Sequence, residues 1–440
     1  MNRPNIIYLH SHDTGRCISP YGYHFQTPHF ERLAARSTLF RNAFCAAPTC
    51  SPSRAALLTG QWAHQTGMLG LHHRGFNLTH PERHLAAVLR GAGYDTTLIG
   101  VNHVAADVRS IGYERVLPTD PINADVVASQ AETFLRSAPT EPFFLDIGFV
   151  ETHRGRFPEP AADIDPARLL PPAGLPDLPV VREDLSRFAT AVRQYDASVG
   201  RILDALDQNG LSQRTLIVCT TDHGISFPRR KCNVLDGGLE VLLMIAEPNG
   251  VNGGASCSAM VSQVDIVPTI CEYIGLDAPR WLVGHSLLPA MREPGHEIRE
   301  ELFGEVTYHA AYDPQRAIRT RRYKFIRRFG DRRLPVPSNM DDGLTKSLFL
   351  DSGYGRQPHP SAALFDLVLD PHEQRNLIDE PTMAAVTRDL SARLDRWMRD
   401  TNDPLLAGDV PLPPGAFANH PDDYSPQDAL ARRASGVPHG

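Results

Sequence analysis

Short, strongly apolar segments alternate with longer helical ones along the first two thirds of the chain, and this alternation constrains the fold more than any other feature. The apolar segments are residues 5–10, 39–44, 96–100, 143–149, 215–221 and 241–246. The helical segments are residues 28–35, 85–93, 123–137, 182–209 and 264–275. Apolar runs of this length, without polar alternation, indicate strands that are buried on both faces. We therefore predict an α/β fold with a large, mostly parallel sheet sandwiched by helices.

The pattern changes after about residue 298. The short apolar segments there are residues 316–320, 323–326 and 364–367, and a helical segment follows over 381–399. This order predicts a small C-terminal α+β subdomain with an antiparallel sheet and one helix. We expect the main domain over 1–298, the subdomain over 299–400, and a tail over 401–440 that is either draped on the surface or disordered.

Composition excludes several kinds of partner. The 440 residues carry a formal net charge of −7, which does not favour nucleic acid, so an anionic substrate has to be attracted by a local pocket. The seven cysteines are scattered without C-x-x-C pairs, which indicates a reducing compartment. Neither a signal peptide nor an apolar run long enough to span a membrane is found. We predict a cytoplasmic protein without a membrane partner, and the oligomeric state, including a homo-oligomer, stays open.

The segment around Cys50 is the strongest candidate for chemistry. Cys50 follows an apolar segment and a short turn, and it begins a helix that Gly60 ends. Pro52 suits the first turn, where a missing N–H costs nothing. A side chain at this position faces the positive end of the helix, and Arg54 adds a guanidinium that suits tetrahedral oxyanions.

Two predicted strands end in adjacent His and Asp residues. His12-Asp13 follows the first strand, and Asp222-His223 follows the strand over 215–221. Ligand sites in open α/β sheets lie at the carboxyl ends of strands. Each pair alone is as well explained by a polar turn. Together with an oxyanion site at Cys50, they predict a divalent metal that neutralises charge on the transferred group.

The string C-S-P-S-R followed by A-A-L-L-T-G resembles the signature of the type I sulfatases, in the alkaline phosphatase superfamily. The resemblance implies that a formylglycine-generating enzyme converts Cys50 to formylglycine, an aldehyde whose hydrate attacks the sulfur of a sulfate ester or sulfamate. It also implies a catalytic role for the domain over 1–298. The plainer interpretation is a helix-starting cysteine without a chemical role.

The resemblance extends to further residues. It implies catalytic roles for Cys50, Arg54, His103, His153 and Lys231, metal ligands at His12, Asp13, Cys50, Asp222 and His223, and substrate contacts at His72 and Arg154. His103 matches the second member of the family's G-K-x-H motif, but Val101 stands where the lysine belongs. The plainer alternatives are core or surface histidines and, for Lys231, a solvated basic run.

The predicted metal ligands depart from the family pattern in donor type. Asp13 and Asp222 match, whereas His12 and His223 replace the usual oxygen donors. Two imidazoles shift the preference from Ca²⁺, the usual ion of the family, toward Mn²⁺, Fe²⁺ or Zn²⁺. An Asp-His pair at the second position also occurs in related phosphonate monoester hydrolases.

Several strings are most similar to the sulfamidase (heparan N-sulfatase) branch of this family. They are residues 50–60, 64–72 and 222–228. We therefore expect a small anionic substrate, a sulfated sugar similar to N-sulfoglucosamine. The alternatives are a phosphonate monoester or phosphodiester hydrolase on the same scaffold and a catalytically inactive binding protein.

Overall fold

The predicted central sheet is present and has eight strands. The computed structural model describes residues 3–293 and 295–435. The strands are β1 Asn5–Ser11, β2 Thr38–Phe44, β3 Asp95–Gly100, β4 Arg115–Leu117, β5 Phe143–Gly148, β6 Thr215–Thr221, β7 Leu243–Ala246 and β8 Ala255–Ser262. Their order is β4-β3-β5-β1-β6-β7-β2-β8, and only β7 runs antiparallel to its neighbours.

Helices cover both faces of this sheet. They are α1 Pro28–Ala34, α2 Cys50–Thr59, α3 Ala63–Thr66, α4 Leu85–Gly91, α5 Ala124–Arg136, α6 Pro179–Gln208, α7 Asp236–Leu239, α8 Ile266–Tyr273 and α9 Leu288–Arg292. Successive residues of β1 point to opposite faces, so that Ile6 packs in the core with α2, α4 and α8, and Ile7 in the core with α1, α5 and α6. Burial on both faces explains why the residues of β1 from Ile6 to Leu9 are all apolar.

The C-terminal part contains the second sheet. Its strands are β9 Glu301–Tyr308, β10 Tyr312–Thr320, β11 Tyr323–Arg328 and β12 Ala362–Asp366, and its helices are α10 Leu344–Asp351, α11 Ala384–Asp400 and α12 Asp428–Ser435. The order β12-β11-β10-β9 is antiparallel throughout. The pairing of Arg319 with Lys324 places β10 and β11 in the predicted hairpin. The fold class is therefore confirmed, including the small α+β subdomain.

Three features differ from the sequence prediction or extend it. β4, β8 and β9 were not predicted; β4 has only three residues, and β8 carries serines at two exposed positions. Residues 401–435 are draped over the protein: Asn419 Oδ1 accepts a hydrogen bond of 2.8 Å from Arg74, and Ala429 is buried. The remainder of the predicted tail, 436–440, lies outside the described residues.

None of the helices in the described residues is long and apolar enough to cross a membrane.

Candidate active site

Four strand ends bring the predicted site residues to one edge of the large sheet. β1 pairs in parallel with β5 and β6, and β5 with β3, so their carboxyl ends lie side by side. His12 and Asp13 follow β1, Asp222 and His223 follow β6, His153 follows β5 and His103 follows β3. Asp13 and His103 have left-handed backbones, with φ of 48° and 64°. This conformation is costly for residues other than glycine, and it turns the chain sharply at the site.

Four of the predicted metal ligands form a tight buried cluster. The donor atoms of His12, Asp13, Cys50 and Asp222 all lie within 4.8 Å of one another. His12 Nδ1 is 3.1 Å from Asp222 Oδ2, yet it makes no hydrogen bond within the described residues. Asp13 Oδ1 also lacks a hydrogen-bond partner there. Buried donor atoms that converge without bonding one another fit a divalent cation.

His223 is oriented toward the same cluster. Its Nδ1 lies 2.9 Å from the carbonyl oxygen of Gly224, so Nδ1–H donates and Nε2 is left for the cluster. Nε2 is 3.3 Å from Asp13 Oδ1 and 3.4 Å from Cys50 Sγ. A backbone carbonyl that fixes the tautomer in this way is common around metal-binding histidines.

Asp222 connects the two strand ends. Its Oδ1 accepts the backbone N–H groups of Asp13 at 2.8 Å and His223 at 2.9 Å, and its Oδ2 accepts from Arg54 at 3.1 Å. Burial by itself would raise the pKa of Asp222. His223, Arg54 and His12 overcome this effect and hold the pKa well below its usual range. Asp222 is therefore a carboxylate, the form that binds a cation.

Arg54 is held by a buried chain of polar groups. Its Nη1 donates to His10 Nδ1 at 2.7 Å, and its Nη2 donates to the carbonyl oxygen of Ser11 at 2.9 Å. His10 Nε2 in turn lies 2.7 Å from Asp146 Oδ1, and the hydroxyl of Tyr113 donates to the other oxygen of Asp146. The guanidinium is thereby fixed in one orientation beside the cluster.

Cys50 is the first residue of α2, as predicted. Thr49 before it is extended, and Gly60 ends the helix in the left-handed conformation with φ of 66°. The whole helix is buried, which places Cys50 Sγ inside the cluster. Burial raises the pKa of the Cys50 thiol well above its usual value, against the opposing effect of Lys231.

Lys231 is a buried cation between two carboxylates. Its Nζ donates to Asp13 Oδ2 at 3.0 Å and to Asp341 Oδ2 at 2.8 Å. Burial would lower the pKa of Lys231, but these two carboxylates raise it well above its usual value. The alternative of a solvated basic run is excluded, since the side chain is buried.

His103 and His153 are half-buried and lie beside His12 of the cluster. Their rings are 5.3 and 5.4 Å from the ring of His12, measured between centroids, and His103 Nε2 lies 3.2 Å from His73 Nδ1. Burial lowers the pKa of both imidazoles, and a neighbouring cation, Arg54 for His103 and Lys231 for His153, lowers it further. Both are therefore neutral at pH 7 and suited to accept a proton.

The two predicted substrate contacts, Arg154 and His72, are placed differently. The guanidinium of Arg154 bonds Asp184 and the carbonyl oxygen of Ser226, and it lies 4.3 Å from the ring centroid of Phe227. Its contacts are structural, and the structure does not bring it to the cluster. The backbone N–H of His72 donates to Ser51 Oγ at 3.0 Å, which places His72 beside the start of α2.

Sequence reasoning missed several neighbours of the site. Asp341, His10, His73 and Asp146 were not singled out, nor was His309, whose low pKa results first from burial and then from Lys231. A carboxylate inside an apolar strand has to be partnered, so Asp146 could have been found from that signal. Asp341 and His309 carry no such signal, because they reach the site from the C-terminal part only through tertiary packing.

The large sheet and this cluster define an α/β protein of the alkaline phosphatase-like class. The sulfatase family profile matches residues 4–276, and a profile described as N-sulphoglucosamine sulphohydrolase, C-terminal, matches residues 225–334. Human N-sulphoglucosamine sulphohydrolase is 31% identical, with 86% of each chain covered. The chain belongs to the sulfatase family.

Solved structures show the same fold. One neighbour, a complex with its substrate D-glucosamine-2-N,6-O-disulfate, has a TM-score of 0.68 at 19% identity and covers 91% of this chain and 98% of its own. The phosphonate monoester hydrolase of Agrobacterium radiobacter has a TM-score of 0.70 at 21% identity and covers 95% of this chain and 100% of its own. At these identities the likeness concerns the fold alone.

Proposed function

We propose that the protein is a formylglycine-dependent sulfatase that hydrolyses a sulfate ester or sulfamate on a sulfated sugar similar to N-sulfoglucosamine. The observation that carries the proposal is the position of Cys50, the first residue of α2 and one of four converging donors, in a chain of the sulfatase family. The human relative, the match to a sulphoglucosamine sulphohydrolase C-terminal profile, and the neighbour that binds a glucosamine disulfate support the sugar.

The donor set fits one divalent cation. His12, Asp13, Asp222 and the side chain at position 50 would hold it, with His223 Nε2 directed at the same point. Such an ion would stabilise the negative charge that develops on the transferred group. Two imidazoles beside two carboxylates favour Mn²⁺, Fe²⁺ or Zn²⁺ over Ca²⁺.

The side chain at position 50 supplies the nucleophile after conversion. Formylglycine in its hydrated form offers one hydroxyl to attack sulfur and a second whose deprotonation expels sulfate and restores the aldehyde. An unconverted thiol has no second hydroxyl, which is why the conversion is needed. Arg54 lies beside this position with an orientation fixed by His10 and Ser11, and its charge opposes the negative charge on the sulfuryl oxygens.

The neutral imidazoles of His103 and His153 transfer the protons of the reaction. His103 and His153 are neutral, and both lie next to His12. Either can take the proton of a hydroxyl at position 50 and then give it to the leaving amine or alcohol.

Peptide mass spectrometry on protein made together with a formylglycine-generating enzyme tests the proposal. The peptide 42–54 contains Cys50 and also Cys45, a buried internal control without the P-x-R context. We expect the aldehyde at Cys50 alone. Turnover of N-sulfoglucosamine should vanish in Cys50→Ala and persist in Cys45→Ala, and turnover retained by Cys50→Ala would refute the mechanism.

One observation favours a second function. His223 gives the Asp-His pair that the sequence shares with phosphonate monoester hydrolases, and one such enzyme has the same fold. Assaying an aryl sulfate and an aryl phosphonate monoester on the same preparation separates the two. We expect the larger kcat/KM for the sulfate, and the reverse order would establish the phosphonate hydrolase.

A further inference from the structure

A cavity of about 550 Å³, separate from the metal-ligand cluster, lies between the main domain and the C-terminal part. It is lined by residues that precede α6, by the loop that precedes α7, and by residues of the C-terminal part from Arg328 to Asn376. The four donor residues of the active site do not line it. Its volume is in the range of pockets that bind small molecules.

The cavity is lined by the guanidiniums of Arg229 and Arg328, whose hydrogen bonds in the described residues go to neutral oxygens. Arg229 donates to Gln374 Oε1 at 2.8 Å and to the carbonyl oxygen of Glu373 at 3.0 Å. Arg328 donates to the carbonyl oxygen of Pro360 at 3.2 Å, and its buried Nε has no hydrogen-bond partner within the described residues. In the part of the chain that the structure describes, neither forms an ion pair, whereas the nearby Arg319 pairs with a carboxylate.

The remaining charge on the lining does not neutralise these two cations. Glu373 adds little negative charge, because its Oε1 lies 2.8 Å from the ammonium of Lys324 and burial raises its pKa to about 7. His359 is neutral at pH 7, because burial and the charge of Arg328 lower its pKa to about 4. Asp313, which does not line this cavity, acts on Arg328 electrostatically but forms no ion pair with it, so the lining itself keeps an excess of positive charge that a bound anion would balance.

Aromatic rings form the other part of the lining. The ring of Tyr354 lies 5.8 Å from that of His359 and 5.5 Å from that of Phe349, measured between centroids. Large apolar faces together with a few placed polar groups are typical of sites for amphipathic ligands, and the C–H face of a sugar ring is such a surface. Gln374 and Asn376 add amide groups that can bond hydroxyls.

The cavity adjoins the active site. A smaller cavity of about 30 Å³ shares Arg229, Tyr354 and His359 with it and is also lined by Lys231. Lys231 donates to Asp13 of the metal-ligand cluster. A ligand in the large cavity would therefore lie next to the residues that surround the reacting group.

We propose that this cavity binds an acidic saccharide, a sugar ring that bears a carboxylate or a sulfate. Arg229 and Arg328 hold the anionic group, and Tyr354 packs against the ring. The choice of a saccharide rests on the proposed function, whereas the choice of an anion rests on the two unpaired guanidiniums alone.

Calorimetric titration of the full-length protein with an unsulfated glucuronic acid–N-acetylglucosamine disaccharide tests the proposal, since this probe has no sulfate to lose. We expect Arg229→Gln/Arg328→Gln to weaken binding at least tenfold. The matched control is Arg230→Gln, which removes the adjacent arginine from the neighbouring cavity and should change binding less than twofold. Ser352→Trp fills the cavity from its rim, leaves both guanidiniums in place, and should also weaken binding at least tenfold.

Three results would overturn the proposal. The first is unchanged binding of the disaccharide by the folded double variant and by Ser352→Trp. The second is that the neutral disaccharide cellobiose binds as tightly as the acidic one. The third is that inorganic sulfate binds as tightly as the acidic disaccharide and is weakened equally by the variants. The last result would show a plain anion site. Sulfate release from N-sulfoglucosamine is measured on the wild type in parallel, so loss of the proposed function is distinguished from loss of this site.

Discussion

Replacing His10 by Phe tests the buried chain that orients Arg54. The imidazole of His10 is neutral, because burial lowers its pKa more than Asp146 raises it. Its Nδ1 therefore accepts from Arg54 and its Nε2–H donates to Asp146, each at 2.7 Å. Phe keeps most of the ring volume and removes both hydrogen bonds.

The two lost bonds set the magnitude. A hydrogen bond to a charged group is worth about 1.5–3 kcal/mol. Arg54 keeps the carbonyl oxygen of Ser11 and Asp222 as partners, and Asp146 keeps Tyr113, so neither charge is left without a partner. We expect His10→Phe to lower the free energy of unfolding by about 3–6 kcal/mol. With the guanidinium no longer fixed, kcat/KM should fall about 10²-fold.

His84→Phe is the matched control. His84 is as deeply buried as His10, but it accepts only one bond, from the backbone N–H of Ala86. Its replacement should cost about 1 kcal/mol and leave kcat/KM within about twofold. Urea denaturation followed by far-UV circular dichroism measures both variants. Equal losses for His10→Phe and His84→Phe would refute the argument, because ring burial rather than the two charged partners would then determine the cost.

Three further perturbations have defined outcomes. Burial raises the pKa of Glu373 from 4.5 to about 7, so between these pH values the folded protein binds more protons than the unfolded chain. The free energy of unfolding should therefore fall by at most about 3 kcal/mol as the pH rises from 4.5 to 7. Glu373→Gln should flatten this slope, measured by urea titrations at several pH values. Arg316→Met leaves the fully buried Asp403 uncompensated and should lower the free energy of unfolding by about 3–5 kcal/mol in the same assay. His12→Asp should raise the affinity for Ca²⁺ relative to Mn²⁺, measured by competition against a chromophoric chelator.

Each of these outcomes has a control. Glu114→Gln changes an exposed carboxylate and should leave the pH slope intact, so an equal effect of both substitutions would contradict the role of burial. Adding Asp403→Leu to Arg316→Met removes the unpaired charge and should recover part of the loss; no recovery would refute the ion-pair explanation. An unchanged preference in His12→Asp would show that residue 12 does not contact the ion.

The sequence was informative where local patterns decide the structure. β1 and β6 were recognised because every residue of each strand is buried. The start of α2 at Cys50 followed from its helix-start residues and from Gly60. The direction of β7 was not predictable, since an apolar run of four residues is the same in either orientation and the connections alone determine it.

The candidate site was predicted as far as strand ends determine it. His12, Asp13, Asp222 and Cys50 converge because parallel strands bring their ends together. Asp341 could not be assigned in this way: it follows β11 in the chain, and only the packing of the C-terminal part against the main domain brings it to Lys231. Contacts of this kind depend on tertiary structure and leave no local pattern.

The departures from the family pattern compensate one another in charge. His12 replaces an aspartate of the family and is neutral, because burial lowers its pKa well below the usual range. Val101 replaces a lysine and removes one positive charge, and it lies two residues before His103, whose ring is 5.3 Å from that of His12. Taken singly, the first change weakens a cation site and the second weakens an anion site. Together the two changes remove one negative and one positive charge, so the proposed hydrolase would keep the formal charge of the family pattern.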